Sequence, residues 1–169
     1  MPGVARGKYE RSLNSPHSLI QTAKCVQQHF HSVYDSAIDK VVRSLTPSRY
    51  GSGASNREHD RLIADVIDRI RGSGDYCFIM SNQTYFGCCD DSKIRNGELD
   101  VFGIGYEDVD PFFSYFEIKS GHNPTSVRKA SEQFSRWRSY MHATHRVPDE
   151  NLDTVLITPV TLNLELPRH

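Results

Sequence analysis

Two stretches of this sequence set acids into otherwise apolar, strand-like text: GELDVFGI at residues 97–104 and YFEIKSG at residues 115–121. Successive residues of a strand point to opposite faces, so Glu117 and Lys119 share one face while Phe116 and Ile118 take the other. Asp100 arrives from the preceding predicted strand, between the apolar Leu99 and Val101. Placing a carboxylate and an ammonium inside a sheet is costly, so a purely structural protein seldom does it. Two converging carboxylates make a hard-oxygen site for Mg2+, with Mn2+ as a substitute, and the lysine adds a cation that can handle a nucleophile. The plainer alternative is a surface strand on which Glu117 and Lys119 form an exposed ion pair. Burial separates the two.

The surroundings of these residues are charged unevenly. The chain has 169 residues and a formal net charge of −1, so the total does not announce a polyanion binder. Residues 85–120, however, carry eight acids against Lys93, Arg95 and Lys119. Residues 121–146 reverse this, with Arg128, Lys129, Arg136, Arg138 and Arg146 against Glu132 alone. An acidic cluster beside a basic helix suits a site that holds cations and grips a polyanion. Four cysteines (Cys25, Cys77, Cys88, Cys89) show no CxxC spacing, so zinc is not expected, and free thiols of an intracellular, soluble protein are. No apolar run is long enough to span a membrane, and MPGVARGKYERS lacks the apolar centre of a secretion signal.

The elements that must position the acids follow from periodicity. Leu19, Ala23, Val26, Phe30, Val33, Ala37, Ile38 and Val41 paint one apolar stripe, which predicts helix over residues 15–45. That stripe has to be covered by the chain's own domain or by a partner, in a homodimer or a larger complex. Residues 46–56 read as a loop. A second helix is predicted over residues 56–71, burying Leu62, Ile63, Val66, Ile67 and Ile70. Three strands follow, over residues 76–80 (or to 83), 97–104 and 112–119, and then a helix over 126–142. Residues 154–158 read as a buried strand and residues 160–166 as an edge strand. The reading is thus α/β, an α-β-β-β-α-β core over residues 51–169 with an N-terminal helical extension over residues 1–50, together one compact domain.

An Asp on one strand and E-x-K on the next, after a glutamate-bearing helix, resembles the PD-(D/E)xK nuclease superfamily. Asp100 matches the motif's Asp, Glu117 its second acid and Lys119 its lysine; Leu99 stands where proline is usual. Glu58 in NREHDRL matches the helical glutamate of many members, and Gln133 resembles the glutamine of the RecB-like and lambda-exonuclease-like branches. Holliday-junction resolvases belong to the same superfamily. The resemblance covers residues 56–158 and implies a restriction-endonuclease-like fold with a mixed sheet flanked by helices. It implies a Mg2+-dependent nuclease, with DNA as the expected substrate. Asp100, Glu117 and the Ile118 carbonyl would bind metal, Glu58 would act directly or through water, and Lys119 and Gln133 would complete the catalytic set. Ser120, Arg128, Lys129, Arg136 and Arg138 would contact phosphates. An RNA endonuclease of the same superfamily is the second expectation, because His59 can stand for Glu58 as it does in the cap-snatching enzymes. Neighbours on a helix do not share a face, so one of the two serves. A third is an inactive relative that only binds nucleic acid or scaffolds a complex, although all four catalytic-type residues are present.

Overall fold

The computed structural model describes residues 19–21, 36–47, 57–88, 94–107 and 110–161. In chain order these form β1 (Leu19–Gln21), α1 (Ser36–Ser44), β2 (Thr46–Pro47), α2 (Arg57–Ser73), β3 (Tyr76–Cys88), β4 (Ile94–Glu107), β5 (Asp110–Ile118), α3 (Pro124–Tyr140) and β6 (Leu152–Ile157). A π-helical turn (Met141–His145) and a short 3-10 turn (Asp149–Asn151) connect α3 to β6. The fold is α/β, a mixed sheet whose four long strands lie in the order β3-β4-β5-β6. β3, β4 and β5 are antiparallel and β6 is parallel to β5, while β1 and β2 add short antiparallel pairings to β3.

Helices cover both faces of the sheet, and each face has its own core. Leu62, Ile63, Val66 and Ile70 of α2 pack with Ile79, Val101, Phe116 and Ile118. Ile38 and Val41 of α1, with Trp137 and Tyr140 of α3, pack with Phe102, Phe113 and Tyr115. Tyr115 and Phe116 are neighbours and enter opposite cores, as alternation along β5 requires. α3 begins two residues before the predicted start at 126: the Asn123 side chain accepts the Ser126 N–H at 2.9 Å and Pro124 fills the first turn. Tyr140 closes α3 by donating to Ser44 Oγ at 2.6 Å, which latches α1 to α3.

One irregularity aims the site. Leu99 packs in the α1/α3 core and Val101 in the α2 core, although strict alternation would put both on one face. The β3–β4 register runs from Ser81↔Val101 to Gln83↔Leu99, which brings Asn82 level with Asp100. Asn82 has φ 49°, a left-handed conformation that asparagine tolerates better than most residues. Gln83 Nε2 donates back to Ser81 O at 2.8 Å across the reversal. Both strands therefore change face together, and Asp100 sits at the turning point.

The structure corrects several expectations. Leu19–Gln21 is a strand paired with β3, not the start of a helix; residues 22–35 of that predicted helix lie outside the described residues. Tertiary pairing overrides the apolar periodicity there. Thr46–Pro47 adds to the sheet edge instead of opening a loop. Val160 and Thr161 form a turn rather than an edge strand, with Thr161 Oγ1 accepting the Thr158 N–H at 2.7 Å; residues 162–169 lie outside the described residues. Cys77 is disulfide-bonded, not a free thiol. Among the described residues no helix is long and apolar enough to cross a membrane.

Trp137 packs edge-on against Phe102 and Tyr115, with centroids at 6.1 and 5.7 Å, and so seats α3 on the sheet. Trp137→Ala is expected to cost about 3–5 kcal/mol in urea unfolding, typical of emptying a buried indole site.

Candidate functional site

β5 carries three polar groups in step on one face. Tyr115, Glu117 and Lys119 stand two residues apart, and the chain keeps its pairing past Ile118 because Lys119 N–H donates to Ile157 O at 2.9 Å. Glu117 is 1 % exposed and Lys119 24 %, so this is not an exposed surface pair. Lys119 Nζ donates to Glu117 Oε1, and the Tyr115 hydroxyl donates to Glu117 Oε2. The Tyr115 oxygen also lies 3.0 Å from the Glu98 carbonyl, which ties the site to β4. From α3, Gln133 Oε1 accepts from Lys119 Nζ at 3.2 Å.

Asp100 faces the same group from β4. Its Oδ2 accepts the Ile118 N–H at 2.8 Å and lies 3.4 Å from His59 Nε2 of α2. Both contacts fall on Oδ2, leaving Oδ1 without a protein partner among the described residues. Ile118 thus enters the site through its N–H.

The electrostatics follow from this crowding. Burial first, then the Asp100 charge, push the Glu117 carboxyl up to about 7, against hydrogen bonds from Lys119 and Tyr115 that pull it down. Burial, joined by the Glu117 and Asp100 charges, holds the Tyr115 hydroxyl protonated well above an ordinary phenol. The hydrogen bond with Asp100 raises the His59 imidazole above its ordinary value, outweighing burial. The Asp100 charge opposes ionisation of Glu117, so added positive charge beside the two is favourable.

Of the residues expected in the site, Asp100, Glu117, Lys119 and Gln133 come together. Glu58 is exposed on α2, and its neighbour His59 is the one that turns to Asp100. Lys129 and Arg136 are exposed on α3, four residues before and three after Gln133, hence on its side of the helix. Arg128 pairs with Glu132 at 2.8 Å in solvent. Arg138 is taken up in structure, reaching Asp149 at 2.9 Å and the Leu152 carbonyl at 3.0 Å. Ser120 is exposed just beyond Lys119. Tyr115 is the residue that sequence reasoning passed over, although it sits two positions before Glu117, as Lys119 sits two after.

Comparison with protein-family models, curated proteins and solved structures finds no match.

Among the described residues no three His, Cys, Asp or Glu side chains form a closed metal cage. The donors that fit a cation are the two carboxylates, the free Asp100 Oδ1 and the His59 imidazole beside it.

A proton on Glu117 is held more tightly in the fold than in the unfolded chain, about 7 against an ordinary 4.5. The stability this contributes is full below the unfolded value and lost as pH rises through the folded one. His59, also raised, acts in the same direction. Without divalent cations the melting temperature is expected to fall between about pH 5 and pH 8. Glu117→Gln should flatten this fall, and a slope equal to the parent's would show that Glu117 does not generate it.

Proposed function

We propose that this chain is a metal-dependent nuclease of the PD-(D/E)xK type, with a restriction-endonuclease-like αβββαβ core, hydrolysing phosphodiester bonds in DNA. The observation that carries this reading is the buried Glu117 carboxylate, clamped by Lys119 and Tyr115 and opposed by the charge of Asp100. The α-β-β-β-α-β order from α2 to β6 supports this reading.

Phosphodiester hydrolysis needs an oriented water, relief of charge at phosphorus and a stabilised leaving oxygen. Asp100 and Glu117 would hold the cation, with His59 next to Asp100. Bound there, Mg2+ or Mn2+ supplies Lewis-acid polarisation of the phosphate and a lowered pKa for water. Lys119 Nζ, on the exposed side of Glu117, would orient the attacking water and balance charge at the phosphate as it builds. Gln133 positions Lys119 through its 3.2 Å contact. Tyr115 donates to Glu117 and so keeps that carboxylate's rotation fixed. Lys129 and Arg136 would take backbone phosphates, which gives grip without sequence information.

A second reading, RNA cleavage, is favoured by one observation: His59 and not Glu58 stands against Asp100. An imidazole in the donor set shifts preference toward softer Mn2+.

Cleavage of single- and double-stranded DNA and of single-stranded RNA, each with Mg2+ and with Mn2+, tests both readings. Asp100→Ala and Lys119→Ala are each expected to lose about a hundredfold or more in rate. Retained cleavage in either variant refutes the assignment. His59→Ala should lose activity with Mn2+ while Glu58→Ala keeps it; the reverse result would return the metal role to Glu58.

A further inference from the structure

Near the acids lies a tyrosine hydroxyl that the mechanism does not use, on the side of α3 that carries Arg136. Tyr85 on β3 pairs with Gly97 of β4, and its ring lies so close over that glycine that a Cβ there would collide with it. The ring also packs against Tyr140, with centroids 4.5 Å apart. Gly97 and Tyr140 thus both lie against this ring. Tyr85 is only 3 % exposed, yet its hydroxyl has no hydrogen-bond partner among the described residues.

α3 carries a cation on the side that meets Tyr85. Gln133, Arg136 and Tyr140 follow at steps of three and four residues, so they share one stripe. Gln133 is fixed on Lys119 and Tyr140 on Tyr85, which leaves Arg136 between the two contacts. Arg136 is exposed and has no acidic partner among the described residues. Burial and the Glu117 charge oppose ionisation of the Tyr85 hydroxyl, while the Arg136 charge favours it. Burial pushes that hydroxyl up to about 12, so it remains a donor at neutral pH.

We infer that Tyr85 and Arg136 form a phosphate subsite for a backbone phosphate of the polynucleotide, next to the one placed at Lys119. The choice of ligand rests on the nuclease reading above. A neutral hydroxyl donor on the same side of α3 as a guanidinium matches the oxygens of an anion such as a phosphodiester. The step from Gln133 to Arg136 is roughly 5 Å along the helix, of the order of one nucleotide along a strand. Gly97 is the residue that lets the tyrosine ring lie flat enough to reach this place.

Binding, measured apart from cleavage, tests this. The probe is a fluorescein-labelled 12-mer of single-stranded DNA, titrated by anisotropy in EDTA with the full chain. Inorganic phosphate and a nucleoside monophosphate serve as competitors, to separate a polynucleotide subsite from one for a free anion. Tyr85→Phe, which removes only the hydroxyl, and Arg136→Ala, at an exposed position, are each expected to weaken binding about three- to tenfold. Their double variant should lose less than the product, because both act on one phosphate. Arg136→Ala should also lower the salt slope by about one, whereas Tyr85→Phe leaves it unchanged. A 12-mer with one methylphosphonate should bind the parent weakly at a single position, and Arg136→Ala should be indifferent to that position. Unchanged affinity in Arg136→Ala overturns the inference, as does a parent that does not bind the 12-mer. If Tyr85→Phe fails to fold, the Arg136 and methylphosphonate arms decide alone. Cleavage lost in Asp100→Ala with these binding effects absent would leave the nuclease reading standing without the subsite. The binding effects in a parent that never cleaves would leave the subsite standing without the nuclease.

Discussion

The arrangement turns on one carboxylate taken out of water. Glu117 lies inside the sheet with 1 % of its side chain exposed, where an unpaired charge is not tolerated. Tyr115 and Lys119 answer it from the same strand, because alternation puts residues two apart on one face. Their own positions need support in turn: Gln133 holds the lysine, and Trp137 and Phe134 wall in the tyrosine ring. α3 therefore serves as packing and as part of the polar network at once. Truncating a member of such a network leaves the others buried and unpaired, which costs more than the single contact removed.

The second carboxylate depends on a different device. Asp100 could not cap the Ile118 N–H and meet α2 from an evenly pleated β4, since Leu99 and Val101 would then compete for one face. The left-handed Asn82 on β3 lets both strands reverse together without losing register. Backbone irregularities of this kind commonly re-aim a side chain at a site. His59 completes the approach from the other layer, so Asp100 is gripped by β5 and α2.

Much of this was legible in the residues. The α-β-β-β-α-β order, the convergence of Asp100, Glu117 and Lys119, and the helical placing of Gln133 follow from period-two and period-three-to-four patterns. His59 was legible too, at a finer grain. It lies four, seven and eleven residues before Ile63, Val66 and Ile70, so the buried stripe of α2 runs through it, while Glu58 falls one residue off. A glutamate matched by resemblance outweighed that angular argument. Tyr115 was hidden because an aromatic residue in a strand reads as core, which it also is. The reversal at Asn82 and the strand at Leu19–Gln21 depend on partners far along the chain, and local pattern carries no trace of them. Arg138 looked like one more phosphate ligand until β6 appeared beside it.

The parallel pairing of β5 with β6 also orders events in time. β4 and β5 are joined by a short connection and can pair locally, which brings Asp100 up to Ile118 early. β6 cannot join until α3 and both turns after it have folded back, since a parallel neighbour demands a long crossover. Loop closure over that distance is the slower step. Glu117 and Lys119 are two residues apart, whereas Gln133 reaches the lysine from α3, so the polar group combines a local contact with a distant one. Closing that crossover also completes the burial of the acid, so the speed with which this chain folds is expected to depend on the charge state of a single side chain.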